Sequence, residues 1–456
     1  MKLPLQISKL DYWVYGLSLA FCFLLFKQSD LTHTNASSFA YLYGHFWDFY
    51  DYNSNRMGDN NYLPIFYWFF AIWNIPLKLL GFIPEVTSET WMQATIIQTI
   101  WSKLLLAIFF FAAVNIVGRI AKQVYATQVS DQGIQKENLP KLLFATSPIA
   151  IFAVFIFGGY DIFALFFMLL GLHAYFAKDF KWFVLWFSVA ISFKYFAAFA
   201  YLPLVLIIEK RFIHLLIYGL LGLAVTTIQF ALYWHSDVFL GEIFDLANAK
   251  VAGNSFKIRT IIVNLSYCLI CFYLYFSKFD YRLDLTKWCE RAIYACLLSY
   301  ALLFSWVLWH PQWIILITPF VCLSLLFIRS QKLLILLLVI EILGYLGFAV
   351  YTMNNWVGNV DNTMLYGGVF GELLPQTNTF VSDLIGHKWM ALSRALFYGS
   401  LYASFLVFVY ERLVKKSADS ASKNKNDNLI SWLIRARFLV ACYFVIGATA
   451  ACFISN

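Results

Sequence analysis

Long apolar runs, interrupted by short polar stretches, follow one another along most of the chain. Most runs are close to the 20 or so residues that an α-helix needs to cross the hydrocarbon layer of a membrane. They predict single crossings at roughly these positions: 10–26, 98–118, 141–157, 161–177, 213–235, 260–276, 292–308, 313–328, 333–352, 391–412 and 433–454. The pattern therefore favours an all-α protein built from transmembrane helices.

The apolar stretch 182–208 does not fit a single crossing. Lysines and arginines lie at both of its ends, which predicts that both ends are cytoplasmic. It is too long for one span and short for two. We therefore predict two short helices that meet near Phe193, Lys194 and Tyr195, which brings the total to about 13 crossings.

A second unusual stretch, 62–82, is apolar but is broken by Pro64, Asn74 and Pro76. Its tryptophans and tyrosines suit the headgroup layer of a membrane. If it crossed the membrane, the basic loop at 119–141 would lie outside, against the usual bias of lysine and arginine. We predict that this stretch is a helix lying in the membrane interface.

Composition supports the same fold class. The 456 residues are 61% hydrophobic, 20% aromatic and only 13% charged, which is more apolar surface than a soluble domain can bury. We therefore expect residues 1–456 to form a single transmembrane domain of a polytopic membrane protein. The net charge of +8 does not indicate a nucleic-acid partner, and the cysteines lie almost all in apolar runs, as packed thiols do.

The distribution of charge predicts the topology. With the N-terminus inside, residues 29–97 form the first extracytoplasmic loop, and 236–259 and 353–390 form two others. The stretch 413–431, rich in lysine, serine and asparagine, is predicted to be a cytoplasmic linker. The unusual polar residues then gather on the outer face, where a polar cavity would accommodate them.

Two aspartates in the first outer loop are the best candidates for catalysis. Asp48 and Asp51 are spaced i, i+3, which places both on one face of a helix. Two carboxylates this close repel each other, which raises the pKa of one of them. A raised pKa suits a general base and serves no structural purpose. His45 lies beside them and Tyr62 begins the predicted interfacial helix.

Other polar residues have a structural and a functional interpretation. Asp161 begins a helix, where an acid complements the helix dipole, and Arg259 suits an interfacial anchor. Lys194 could extend to the headgroups, although at the tip of two short helices this is harder. His310 and Gln312 flank a proline that suits the first turn of a helix. The functional alternative is that all of them face one outer cavity.

These residues also carry a resemblance to a known class. The chain resembles the GT-C glycosyltransferases, nearest to the bacterial mannosyltransferase-like members and more distantly to the GPI mannosyltransferase catalytic subunit. The resemblance covers roughly 10–330. Its segments are Asp48-Phe-Tyr-Asp51-Tyr, Gly58, Asn61-Tyr62-Leu63-Pro64, Gly159-Tyr160-Asp161, Ser192-Phe193-Lys194 with Pro203, and His310-Pro311-Gln312-Trp313. Tyr-Leu-Pro replaces the Tyr-Pro-Pro of the family, and Gly-Gly-Tyr-Asp replaces Gly-Gln-Tyr-Asp.

The resemblance implies a hexosyltransferase, with mannose as one candidate sugar, in the plasma membrane of a bacterium. The donor would be a polyprenyl-phosphate sugar, and the acceptor a glycan or glycolipid hydroxyl on the extracytoplasmic side. Asp48 or Asp51 would be the base, with inversion at the anomeric carbon. Lys194 and Arg259 would bind the phosphate, while His310 and Gln312 would hold phosphate or sugar hydroxyls.

The expected partners are therefore the donor, the acceptor and membrane lipids, and the aromatic ring of Tyr62 would stack on a sugar. The clustered acids and His45 allow a divalent metal such as Mg²⁺ or Mn²⁺, although their spacing is not a recognised ligand pattern. One rival interpretation is a flippase of lipid-linked glycans, which predicts inverted repeats. Another is an O-antigen polymerase or ligase, which predicts a large, late outer loop rich in arginine and histidine. A non-catalytic membrane scaffold is the remaining alternative.

Overall fold

The computed structural model describes residues 7–58, 60–90, 93–127, 137–252, 258–306, 311–355, 387–413 and 427–439. Within these ranges the protein is all-helical and contains no strand. This confirms the predicted all-α class. The predicted loop 353–390 and most of the predicted span 433–454 lie outside the described residues.

The first part of the chain contains six helices, and four of them lie wholly within 29–97, for which the sequence predicts a loop with one interfacial helix. Its elements are α1 (Lys9–Leu25), α2 (Ser29–Ser37), α3 (Phe39–Leu42), α4 (Phe49–Met57), α5 (Pro64–Leu79) and α6 (Ile96–Ala126). Ser8 and Asp11 form a capping box that starts α1, and Pro64 in the first turn starts α5. The stretch 29–97 is thus largely helical, and α5 lies inside the predicted helix 62–82.

The middle of the chain holds the helices that carry most of the buried core. Its elements are α7 (Leu139–Ala145), α8 (Pro148–Ile151), a π-helical turn (Phe152–Ile156), α9 (Asp161–Phe176), α10 (Phe180–Phe193), a 3₁₀ turn (Tyr195–Ala197) and α11 (Ala198–Ile208). Two short helices therefore meet at Lys194, as the sequence predicts. Lys194 has an extended backbone, with φ −149° and ψ 112°, and ends α10.

The later elements follow the predicted spans only in part. They are α12 (Phe212–Gly222), α13 (Ala224–Tyr233), α14 (Asp237–Ala252), α15 (Ile258–Phe276), α16 (Leu285–Trp306), a 3₁₀ turn (Pro311–Leu316), α17 (Thr318–Ser324), a 3₁₀ turn (Leu325–Phe327), α18 (Gln331–Asn355), α19 (His387–Leu413) and α20 (Asp427–Phe438). Helix α14 occupies the predicted loop 236–259. Helix α20 begins inside the predicted linker 413–431, of which 414–426 lies outside the described residues.

The predicted number of crossings is not confirmed. Among the described residues, α6 and the 391–413 part of α19 are long and apolar enough to span a membrane, and five spans result if each of three bent helix pairs counts as one. Proline and glycine divide several predicted spans: 141–157 breaks before Pro148, and 213–235 bends by 48° after Gly222. Thirteen crossings, the GT-C fold and the orientation in the membrane stay predictions.

The buried side chains form two clusters. The larger one is built mainly by α6, α7, α9, α10, α11, α16 and α17. The smaller one lies around Phe39, Phe49 and Tyr50, with Tyr233 and Phe239 from the other side. Tyr62 packs against both clusters, so the segment that leads into α5 connects them.

Candidate functional site

A lysine and an aspartate meet in the interior of the larger cluster. The Nζ atom of Lys194 lies 2.9 Å from Oδ1 of Asp161, and their side chains are only 6% and 3% exposed. Lys194 is placed by the break between α10 and α11, and Asp161 by the start of α9. Burying charges is costly even when they are paired, and both members of this pair are residues that the sequence predicts for the site, which makes it the candidate functional site.

Two aromatic rings flank the same ammonium group. The Nζ atom of Lys194 lies 4.7 Å from the ring centre of Trp313 and 5.5 Å from that of Tyr62. Both distances lie within the range of cation–π attraction. The predicted residues Tyr62, Asp161 and Lys194 are therefore brought together by the fold.

A third charged group, Asp30, is not among the predicted site residues. The hydroxyl of Tyr160 donates to Asp30 Oδ2 at 3.0 Å, and Thr34 Oγ1 donates to the Tyr160 hydroxyl at 3.2 Å. Asp30 lies in the first turn of α2 and is close enough to both Lys194 and Asp161 to interact with their charges. The site thus holds two carboxylates and one ammonium group.

Tyr160 fixes the geometry around Asp30. Burial, and next the charge of Asp30, raise the pKa of the Tyr160 hydroxyl well above its usual range, so the hydroxyl stays protonated and donates. The ring of Tyr62 meets that of Tyr160 edge-on at 5.1 Å. The signal for Asp30 in the sequence is an acid directly after the first apolar run, which the denser polar stretch at 44–64 obscures.

Gln312 is a further predicted residue at this site. It is 4% exposed, and its Oε1 atom has no hydrogen-bond partner among the described residues. It packs so closely on Gly159 that a Cβ atom there would lie 2.9 Å from the Gln312 Cβ. The neighbouring Gly158 has φ +72°, which glycine adopts without strain. Gly159 therefore lets the backbone approach the side-chain stem of Gln312.

The predicted catalytic aspartates lie elsewhere. Oδ2 of Asp48 is 2.9 Å from Nδ1 of His45, and their side chains are 57% and 30% exposed. The ring of His45 stacks on Tyr52 at 3.5 Å. Asp51 lies in the first turn of α4. Within the described part of the chain, no hydrogen bond or ion pair joins either aspartate to Asp161 or Lys194, and their catalytic role stays a prediction.

The segment 60–63 runs between the two groups of polar residues. The hydroxyl of Tyr50, adjacent to Asp51, donates to the carbonyl of Tyr62 at 2.7 Å. The N–H of Asn60 donates to Glu242 Oε2 at 2.9 Å. Helix α4, α14 and the buried ion pair are thus linked through this segment and the ring of Tyr62.

Two predicted residues have no described side-chain geometry. The side chain of Arg259 and the whole of His310 lie outside the described part of the structure. Among the described residues, no three or more of the histidine, cysteine, aspartate and glutamate side chains cluster so that they could hold a metal ion.

Comparison with known proteins adds no family. No protein-family model matches the chain, and no curated protein matches it significantly. What the protein does must therefore be argued from the site around Asp30, Asp161 and Lys194.

Proposed function

We propose that the protein is an integral-membrane glycosyltransferase of the GT-C kind, which moves a sugar from a polyprenyl-phosphate donor to an acceptor hydroxyl. The observation that supports this most is the buried Asp161–Lys194 pair beside Asp30. A lipid donor brings a phosphate, a sugar and an apolar chain to one place. A buried cation, carboxylates and surrounding apolar helices offer a partner for each.

Lys194 is the proposed phosphate ligand. Its ammonium group is held by Asp161 and by the rings of Trp313 and Tyr62. A donor phosphate can replace Asp161 as the partner of Lys194, so the lysine remains paired. Hydrogen bonds between an ammonium group and a phosphate are strong where water is excluded. Lys194 then stabilises the negative charge that develops on the leaving phosphate.

Asp30 is the proposed general base. The acceptor hydroxyl gives its proton to Asp30, and its oxygen forms the new bond to the anomeric carbon of the sugar. The bond from that carbon to the phosphate oxygen breaks, and its electron pair leaves with polyprenyl phosphate. Attack opposite the leaving group inverts the anomeric configuration, and the carboxylates stabilise the oxocarbenium-like charge. Tyr160 orients Asp30 through the 3.0 Å hydrogen bond.

Gln312 and Tyr62 are the proposed contacts of the sugar. The unused acceptor of Gln312 suits a sugar hydroxyl, and the ring of Tyr62 suits a sugar face. The resemblance adds Arg259 and His310 as phosphate or sugar ligands, and a bacterial plasma membrane with the site on its extracytoplasmic side.

The test is transfer of a radiolabelled sugar by the purified protein in proteoliposomes. A panel of polyprenyl-phosphate hexoses, mannose included, serves as donors and a bacterial membrane extract supplies acceptors. We expect Asp30→Asn to lower turnover about 100-fold or more, as removal of a general base does. Lys194→Met should lower turnover and also raise the KM for the donor, because Lys194 binds the phosphate and stabilises the charge that develops on it.

Substitution of each carboxylate in turn decides whether Asp30, Asp48 or Asp51 is the base. Asp48→Asn and Asp51→Asn are compared with Asp30→Asn, and Asp284→Asn, which alters a loop carboxylate paired with Lys287, is the control. Loss of transfer in Asp48→Asn or Asp51→Asn alone, with Asp30→Asn active, would return the base to the α4 region. Movement of labelled lipid between leaflets without any transfer would favour the flippase interpretation.

A further inference from the structure

One buried lysine takes no part in the proposed chemistry. Lys103 lies on α6, within a helix long and apolar enough to span a membrane, and is only 2% exposed. Among its described contacts no carboxylate pairs with it. Its Nζ atom lies instead 2.5 Å from the carbonyl oxygen of Phe23, 2.6 Å from that of Phe26 and 2.9 Å from that of Phe155. The carbonyl of Cys22 is more distant, at 3.4 Å.

Three short contacts match the three N–H donors of an ammonium group. A neutral amine has two N–H donors and a lone pair, which would face one of these oxygens. Three acceptors around the Nζ atom fit the charged form of Lys103. A charge at this position in an apolar helix is costly, and carbonyl oxygens that lack other donors are what offsets the cost.

The carbonyls belong to the end of α1 and to the π-helical turn before α9. Cys22 and Phe23 lie in the last turn of α1, and Phe26 is its C-cap. The last carbonyls of a helix have no partner within it, and α1 has no basic residue of its own in that turn. Lys103 supplies the missing donors from a neighbouring helix, and the chain then continues directly into Asp30.

The third carbonyl belongs to the π-helical turn before α9. Phe155 lies in that turn, and the N–H of Gly159 donates back to the carbonyl of Ala153 at 2.6 Å. The turn thus fixes the glycine pair and, immediately after it, Tyr160 and Asp161. A single ammonium group therefore joins the two chain segments that carry the carboxylates of the site.

We propose that Lys103 is a positioning residue, which holds the end of α1 and the π-helical turn together so that Asp30 meets Tyr160 and Asp161. This inference rests on the proposed function only for its effect on turnover. The juxtaposition of the two segments can be measured separately, by hydrogen–deuterium exchange of the backbone amides.

The experiment compares the full-length protein in nanodiscs with Lys103→Met and Lys103→Gln. Methionine keeps the length of the side chain without a donor, and glutamine keeps two N–H donors. We expect exchange in 27–37 and in 157–161 to become about tenfold or more faster in Lys103→Met, and less so in Lys103→Gln, because hydrogen bonds to a charged group are lost. If Lys103→Met does not fold, Lys103→Gln carries the comparison.

Lys210 provides a matched control. Its ammonium group also donates to backbone carbonyls, those of Leu206 and Leu274, but at the end of α11 and on α15. Lys210→Met should leave exchange in 27–37 and 157–161 unchanged. Exchange in these two segments that is unaltered in Lys103→Met, or equally faster in Lys210→Met, would overturn the inference.

The activity assay separates this inference from the proposed function. We expect Lys103→Met to lower kcat with little change in the KM for the donor, because Lys194 is not displaced. Faster exchange in both segments with unaltered transfer would support the positioning role and contradict the use of Asp30 and Asp161 in the reaction. Loss of transfer with unaltered exchange would overturn the positioning role and leave the proposed function intact.

Discussion

Lys194 illustrates how much the position of a single residue along the chain can predict. A lysine between two apolar runs, each too short to cross a membrane, indicates a break with a buried tip. Lys194 does lie at such a break, 6% exposed and paired with Asp161. The pairing itself is not predictable from the sequence, because it depends on how α9 packs against α10 rather than on the spacing of residues along either helix.

Asp30 illustrates the opposite case. Its sequence signal is weak, a single acid after the first apolar run, and its contact in the fold is with Tyr160, which is remote along the chain. In contrast, Asp48, Asp51 and His45 form a dense local cluster, and their contacts are local as well. Local density of polar residues predicts exposed loops and caps well, whereas a buried site is assembled from distant residues.

A pH prediction belongs to the loop between α11 and α12. The side chain of Arg211 and the N–H groups of Lys210 and Arg211 donate to Glu209. These bonds, the one from the Arg211 side chain foremost, lower the pKa of Glu209 to about 2. The stability that the carboxylate contributes is therefore complete above its usual pKa of about 4.5 and is lost as the pH falls towards 2.

The measurement is the melting temperature of the wild type and of Glu209→Gln between pH 7 and pH 2.5. We expect the wild type to be the more stable at pH 7, by less than about 1 kcal/mol because Arg211 is largely exposed. The difference should shrink below pH 4.5. A difference that is constant over this range would contradict the role of the charge.

Helices α9 and α10 pack closely where Gly171 faces Phe187. A Cβ atom at Gly171 would lie 2.5 Å from Cδ2 of Phe187 and 3.3 Å from the carbonyl oxygen of Phe183. The lack of a side chain at this glycine therefore allows the two helices to come this near at that point.

Substitution of Gly171 by alanine should destabilise the protein by about 1–3 kcal/mol, as overpacking does. Gly219→Ala is the matched control, because no atom lies within 4 Å of a Cβ there, and we expect it to stabilise α12 by up to about 1 kcal/mol. Thermal unfolding in detergent measures both. Equal effects of Gly171→Ala and Gly219→Ala on stability would show that the α9–α10 contact can accommodate a Cβ atom.

The elements also show the limits of prediction from hydropathy. The apolar runs at 10–26, 161–177 and 260–276 correspond to single helices, α1, α9 and α15. The runs at 141–157 and 313–328 are instead broken into α-helical and π or 3₁₀ turns. Apolar content does not distinguish a single long helix from a run of shorter helices and turns. Apolar side chains are buried by neighbouring helices in both cases.

At the scale of the whole molecule, α20 is anchored through one buried ion pair. Nη1 of Arg437 donates to Glu341 Oε2 at 2.8 Å, and Nη2 donates to the carbonyl of Leu143 at 3.0 Å. The side chains of Arg437 and Glu341 are 0% and 5% exposed. The pair therefore links α20 to α18 and α7, which are distant along the chain.

Arg437→Met should destabilise the protein by about 3–5 kcal/mol, because it leaves the carboxylate of Glu341 buried without its partner. The double change Glu341→Leu with Arg437→Met should recover most of that loss. Thermal unfolding of both variants measures the recovery. A double variant no more stable than Arg437→Met alone would contradict the explanation.

The break at Lys194 has a consequence for the surrounding lipid. Helix α10 has 14 residues, about 21 Å at 1.5 Å per residue, whereas the hydrocarbon layer is about 30 Å thick. Under the proposed function, the donor phosphate would reach Lys194 below the headgroups, to a depth that depends on hydrophobic mismatch. In vesicles of 14-, 18- and 22-carbon monounsaturated lipids, we expect the KM for a polyprenyl-phosphate sugar to rise with chain length, and a KM independent of thickness would contradict this. The membrane itself would then regulate access to the site.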